Sequence, residues 1–169
     1  MATQKTNKYQ HIDLLLQVNN DLAVSHSLTQ ALDTLVNITS SVIGAERGTV
    51  FINDSETQEL YSRVAQGNLN REIRVMNNQG IAGWVFTNNT GAIVNDAYKD
   101  ERFHKLVDMR TGYRTKSILC APLRTVAGEI IGVTQLLNKI NDQFTKKDLK
   151  LLESITEQAT IAIQGHLVH

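Results

Sequence analysis

DMRTGYRTKSILCAPLRTVAGEIIGVTQLLNK, residues Asp108–Lys139, holds two apolar runs, Ser117–Leu123 and Ile130–Leu137, on either side of the turn Ala127-Gly128-Glu129. That pattern predicts a β-hairpin. Strand alternation sets Val133, Gln135 and Leu137 on one face of the second arm and Thr134 and Leu136 on the other. Gln135 thus stands in an otherwise apolar row, where an unbonded amide is costly. It is either a core glutamine satisfied by backbone or a group aimed at a ligand. Pro122, the only proline, falls near the end of the first arm and predicts an edge position or a bulge. Cys120, the only cysteine, sits mid-strand without a partner thiol and reads as a core residue.

Immediately upstream, Asp108, Thr111 and Thr115 are interleaved with Arg110, Arg114 and Lys116 around Gly112. One acceptor and two hydroxyls at a strand entry suit a small polar molecule. The same residues also serve as turn formers in a solvated loop, and spacing alone does not separate the two.

Moving outward, Lys146–Leu167 predicts a long helix. Its Leu152, Ile155, Ala159 and Ala162 recur at helical spacing, as in a two-helix seam or in packing on a sheet, to which Leu149, Leu151 and Ile161 contribute. Asp96–Arg110 reads as irregular, with one helical turn near Asp100–Lys105. Ala92–Asn95 predicts a short strand, and Ile81–Thr87 a short helix after the turn Asn77–Gly80. The free N–H groups at such a helix start favour an anion. Earlier still, Gly48–Asn53, Leu60–Ala65 and Arg71–Met76 predict an antiparallel meander, broken at Asp54–Thr57 and Gln66–Asn68. Leu28–Ile43 predicts a helix stopped by Gly44. Lys8–Ala23, with Ile12, Leu15, Val18 and Leu22 at helical spacing, predicts another, and Ser25 or Ser27 caps the next.

The 169 residues fit one domain, divided as 1–25 (linker and dimerisation helix) and 26–169 (the domain with its C-terminal helix). Seventeen basic and seventeen acidic residues cancel, so no basic surplus draws in nucleic acid or an anionic membrane. A single cysteine fits a reducing compartment. The longest early apolar run, Leu14-Leu15-Leu16, is too short for a signal or a membrane span. The expectation is a cytoplasmic location, and helical patterning at both ends reads as a segment of a longer protein. No P-loop or GxSxG occurs, and only His166 and His169 have ligand-like spacing, so neither turnover nor a metal site is indicated.

These stretches together resemble a GAF domain, and most of all the cyclic-nucleotide-binding GAF domains of phosphodiesterases and cyanobacterial-type adenylate cyclases. The resemblance spans Leu28 to His166. It rests on GTVFIND (Gly48–Asp54), NQGIAGWV (Asn78–Val85), DMRTGYRTKSILCAPL (Asp108–Leu123) and VTQLLNK (Val133–Lys139). The last opens the family's NK…F…DE signature, here Asn138, Lys139, Phe144 and Asp148, with Leu149 where the family has Glu.

The resemblance implies an α+β fold, a central antiparallel sheet of about six strands with helices on both sides and long terminal helices. It implies a regulatory binding domain and not an enzyme, with no cofactor, signalling to an output domain as a homodimer through the terminal helices, with Leu152, Ile155, Ala159 and Ala162 expected to form a parallel dimer seam together with Leu15, Val18 and Leu22. Thr49, Ala65 and Gln66 would line a base pocket. Ile81 and Ala82 would offer N–H groups to a cyclic phosphate, and Asp108, Thr111 and Thr115 would close the lid side. Gln135 falls where cGMP-preferring relatives have Glu. A carboxylate accepts the guanine N1–H and N2–H, whereas Gln both donates and accepts, which tilts the reading to cAMP over cGMP. The competing implication is a ligand-free dimerisation module. Family members that reduce methionine sulfoxide need several cysteines, and a bilin site needs a well-placed one.

Overall fold

The computed structural model describes residues 28–67 and 72–167, with side chains described to residue 161. The expected helix Lys8–Ala23, the Ser25 and Ser27 caps and the 25/26 boundary lie outside the described residues. The elements are α1 (Leu28–Ile43), β1 (Ala45–Asp54), β2 (Glu59–Ala65), β3 (Arg74–Met76), α2 (Gly80–Asn88), β4 (Ala92–Val94), a 3-10 turn (Ala97–Lys99), α3 (Leu106–Thr111), β5 (Ile118–Arg124), β6 (Ile130–Lys139) and α4 (Lys146–Leu167). The six strands form one sheet in the order β3-β2-β1-β6-β5-β4. Every neighbouring pair is antiparallel. This is the α+β architecture the sequence implies.

Alternation along the strands divides the interior in two. Val50, Leu119, Ala121, Leu123 and Leu136 point to the face covered by α1 and α4. Phe51, Ile118, Cys120 and Val133 point to the other face, where Ile81, Ala82 and Val85 of α2 meet them. α1 buries Ala31, Leu32, Leu35, Val36 and Ile43, a stripe set by the 3.6-residue period. It ends at Gly44, whose φ of 83° and N–H to the Ser40 carbonyl (3.0 Å) close the helix in a conformation that favours glycine. Gly132 on β6 is needed for a different reason. A Cβ there would sit 2.1 Å from the Phe51 carbonyl oxygen, so only glycine lets β6 approach β1 at this point.

Leu152, Ile155 and Ala159 of α4 are completely buried against α1 and the sheet. The reading of this row as a dimer seam is therefore corrected for these three residues, whose side chains belong to the chain's own core; the Ala162 side chain lies outside those described. A helix lying on a sheet beside another helix shows the same spacing as a coiled-coil strand, so the pattern alone could not separate them. Ile161, expected to join the packing, is 69% exposed.

Other boundaries shift for tertiary reasons. β1 starts at Ala45, three residues before the apolar run, because Ala45 pairs with Lys139 and Arg47 with Leu137. β3 is limited to the three residues that pair with β2. The expected turn at Asp100–Lys105 is replaced by the 3-10 turn before it and α3 after it. Pro122 lies beyond the end of β4, which stops opposite Cys120, and a register irregularity follows at Leu123/Arg124. Among the described residues no helix is long and apolar enough to cross a membrane.

Candidate functional site

On the α2 side of the sheet a cavity opens between β1, β6, the start of α2 and the segment that carries α3. Its floor is Thr49, Phe51, Gln135 and Leu137, alternate residues of β1 and β6. Thr49 and Gln135 are direct cross-strand partners. Thr49 is buried and Gln135 half-buried, and among the described residues neither side chain has a hydrogen-bond partner. A wall that is otherwise apolar thus carries a hydroxyl and a carboxamide side by side, both facing the void.

Gln79–Ala82 form the second wall. Gly83 N–H is the first in α2 to bond back, to the Gln79 carbonyl at 3.1 Å. Gln79 provides no side-chain cap, so the preceding N–H groups of Ile81 and Ala82 are left without an acceptor at the cavity edge. Together with the helix dipole they make a favourable position for negative charge.

The third wall is a lid, the stretch from Phe103 through α3 to Thr115. Asp108 fastens it. Tyr98 O–H donates to Asp108 Oδ2 (2.7 Å), Thr115 N–H donates to the same oxygen (2.7 Å), and Thr115 Oγ1 donates to Oδ1 (2.7 Å). The Asp108 bond holds the proton on Tyr98 and raises its pKa. At the end of the lid Tyr113 O–H donates to Glu46 Oε1 (2.6 Å), and the Arg47 guanidinium lies 4.0 Å from the Tyr113 ring centroid. Burial, then the Glu46 carboxylate, pushes the Tyr113 pKa well up, and the bond from Tyr113 lowers that of Glu46. The cavity volume is about 90 Å³. That is below the roughly 300–1,000 Å³ of sites that enclose a ligand.

The family model of the GAF domain matches residues 27–163 of this chain. The chain belongs to the GAF domain family. It is 30% identical over 164 residues to "Probable 3',5'-cyclic phosphodiesterase pde-5" of Caenorhabditis elegans, covering 90% of this chain and 22% of that protein. It is 31% identical over 173 residues to the dual 3',5'-cyclic-AMP and -GMP phosphodiesterase 11 of Drosophila melanogaster, covering 90% and 11%. The chain therefore spans about a fifth of the first and about a tenth of the second. Among solved structures, the GAF domain of the Acinetobacter phosphoenolpyruvate-protein phosphotransferase superposes with a TM-score of 0.80 at 20% identity, covering 94% of this chain and 96% of that one. At that identity it speaks for the fold alone.

Within this GAF domain the expected site residues fall into three groups. Thr49, Ile81, Ala82, Asp108, Thr111, Thr115 and Gln135 all border the one cavity. Ala65 pairs with Thr49 across β1 and β2 but does not line it. Gln66 borders it, yet its carboxamide is engaged. Oε1 accepts from Gly48 N–H (2.8 Å), and Nε2 donates to Asn37 Oδ1 (2.8 Å) and Ser40 Oγ (3.1 Å) on α1. Thr111 Oγ1 likewise turns back to the Val107 carbonyl (2.9 Å).

Residues that sequence reasoning missed are Arg47, Phe51, His104 and Tyr113. Period-2 alternation from Thr49 signals Arg47 and Phe51; nothing local signals His104 or Tyr113.

The NK signature stands behind the cavity. Lys139 Nζ lies 3.2 Å from Asp148 and also donates to the Ile43 carbonyl. Asp148 Oδ2 accepts from Thr145 N–H (3.0 Å) and Thr145 Oγ1 from Asp148 N–H (3.2 Å), a capping box that starts α4. Phe144 is buried, its backbone held by both ends of the Asn95 amide. Leu149, in place of the family Glu, packs partly buried and would meet a Cβ at Gly91 at 2.8 Å. The departure is a packing solution, not a broken ion pair.

Proposed function

We propose that this GAF domain is a regulatory sensor that encloses one cyclic nucleotide, cAMP in preference to cGMP, and signals allosterically to an output domain. One observation carries the reading. A Thr49 hydroxyl and a Gln135 carboxamide, unpartnered among the described residues, face an uncapped helix start across one cavity. The base lies against Thr49 and Gln135. The cyclic phosphate takes the Ile81 and Ala82 N–H groups without a buried ammonium. The lid, fastened by Asp108 and Thr115 with Thr111 on its exposed side, closes over it. Gln66 orders β1 behind the base more than it touches it, since its amide is already bonded.

Gln135 sets the preference. It meets the adenine edge as donor and acceptor, whereas guanine presents two donors that a carboxylate accepts better. The lid must open for exchange, so association and release are slow. Its order then depends on occupancy, which is the differential contact a switch needs.

The output domain is a cyclase, phosphodiesterase or kinase elsewhere in the parent protein, in a cytoplasmic setting. The domain works as a homodimer through its terminal helices, on Leu15, Val18 and Leu22 and not on the buried row of α4. Leu15→Glu with Leu22→Glu yields monomers by light scattering. A bilin or methionine sulfoxide chemistry is disfavoured by Cys120, the single thiol, which is fully buried with its pKa pushed up by desolvation.

The test has two parts: mass spectrometry of small molecules released on denaturation, then calorimetry of the emptied domain with cAMP and with cGMP. The expected result is one site per chain, tighter for cAMP. No heat with either nucleotide in a demonstrably empty domain overturns the reading in favour of a dimerisation module.

A further inference from the structure

Asn138 is the centre of a cluster outside the cavity that joins the lid to the end of α1 and the start of α4. It adopts φ 59°, a left-handed conformation that Asn tolerates better than most residues. Its Oδ1 accepts from Lys116 N–H (2.6 Å) and Ser117 N–H (3.1 Å), which fixes the start of β5. Its Nδ2 faces three acceptors: the Tyr113 hydroxyl (2.9 Å), the Arg114 carbonyl (2.9 Å) and Glu46 Oε1 (3.3 Å). Tyr113 is the lid residue that also borders the cavity. The next residue, Lys139, holds Asp148 in the cap of α4 and the last carbonyl of α1. The path from the cavity to the start of α4 is therefore Tyr113, Asn138, Lys139, Asp148, with no gap.

We propose that Tyr113, Glu46 and Asn138 form a latch that couples lid closure to the first turn of α4, with Tyr113 as a positioning residue. When the lid lifts, the Asn138 amide loses its Tyr113 and Arg114 acceptors together. The strand end carrying Lys139 is then freed beside the capping box. The second fastening, Tyr98 with Asp108 and Thr115, holds the same lid but makes no bond to Asn138. The two fastenings thus differ in what they report to.

Hydrogen exchange on the full, ligand-free chain tests this. In Tyr113→Phe the ring remains for Arg47 to stack on, while both hydroxyl bonds vanish. Lid amides (Gly112, Thr115) and cap amides (Thr145, Asp148) are expected to exchange about fivefold faster, the factor for one net hydrogen bond. Tyr98→Phe is expected to speed the lid amides alone. Asn138→Asp keeps the acceptor for Lys116 and Ser117 but removes the donors, and is expected to match Tyr113→Phe. The double variant should add little to either.

Cap amides at wild-type rates in Tyr113→Phe and Asn138→Asp overturn the coupling. So does equal acceleration of the cap by Tyr98→Phe. A second arm rests on the cyclic-nucleotide reading above: cAMP should protect both lid and cap in the wild type, but only the lid in Tyr113→Phe. If cAMP does not bind, that reading fails while the ligand-free comparison still decides the latch.

Discussion

The two faces of the sheet treat polar groups in opposite ways. On the α1/α4 face, side chains interlock and hydroxyls mostly turn back to helix carbonyls, as Thr39 does to Leu35 (2.7 Å) and Thr160 to Thr156 (3.1 Å). Only the Thr134 and Thr156 hydroxyls remain unbonded there among the described buried groups, sealed from solvent. On the α2 face, among the described residues, the side chains of Thr49 and Gln135 and the first N–H groups of α2 stay unbonded around a cavity bordered by the segment that carries α3. One face is organised for stability. The other holds hydrogen-bonding capacity in reserve, turned toward the cavity.

Substitutions on the two faces should therefore separate stability from binding. The largest effect is expected for Leu152→Ala, which empties a fully buried site and should lower stability by about 2–5 kcal/mol. Chemical denaturation measures it. A small loss, accompanied by dissociation of a dimer, would return Leu152 to an intermolecular seam.

Next is Lys139→Ala. The side chains of Lys139 and Asp148 are only 17% and 15% exposed. Removing one partner of such a buried pair costs about 1–3 kcal/mol, below the figure for full burial. Nucleotide affinity should fall only as far as the fold does; unchanged thermal stability would refute a structural role.

On the cavity face the order inverts. Thr49→Val should leave the melting temperature within a degree or two while weakening cAMP about five- to thirtyfold, the range for one buried hydrogen bond lost or left unpaired. Thr115→Ala should fall in the same range by loosening Asp108 and the lid, and Gln135→Glu should improve cGMP relative to cAMP. Calorimetry reads all three.

The smallest effect is one of pH. The pKa of Tyr113 is raised in the folded state above its ordinary value of 10.0. The unfolded chain therefore releases this proton first as pH rises, and stability declines from about pH 10 upward. Tyr113→Phe should have a shallower alkaline loss than the wild type; identical slopes would mean that the phenol is not held by Glu46.

Much of this was legible because periodicity reports burial. Leu28–Ile43 with its Gly44 stop, the β5–β6 hairpin and α4 each bury one regular face, so a pattern of period 3.6 or 2 announces them. The polar start of β1 at Glu46 and Arg47 was not, since its place in the sheet comes from pairing with β6. Nor was α3, six residues with Asp108, Arg110 and Thr111 among them, whose order derives from distant bonds to Tyr98 and Thr115. The cavity residues were located through matching stretches, but whether a polar side chain is free or engaged is a tertiary fact. Gln66 and Gln135 look alike in sequence; one side chain is bonded to α1 and the other has no partner among the described residues. The row Leu152, Ile155 and Ala159 shows the converse, a clear period compatible with two partners.

The short outer strands have a consequence for solubility. β3 and β4 are three residues each, too little backbone to template a further strand. Arg74 on β3 is engaged with Asp54, Glu59 and Glu72. Where β4 leaves β5 uncovered, Pro122 has no N–H to offer, and Arg124 reaches across to Asn89, its Nε donating to Oδ1 (2.6 Å) and its Nη2 to the backbone carbonyl (3.0 Å). Both flanks are thus blunted against edge-to-edge aggregation by length, charge and proline. Copies of this domain can be crowded side by side on a scaffold without zipping their sheets into a fibre.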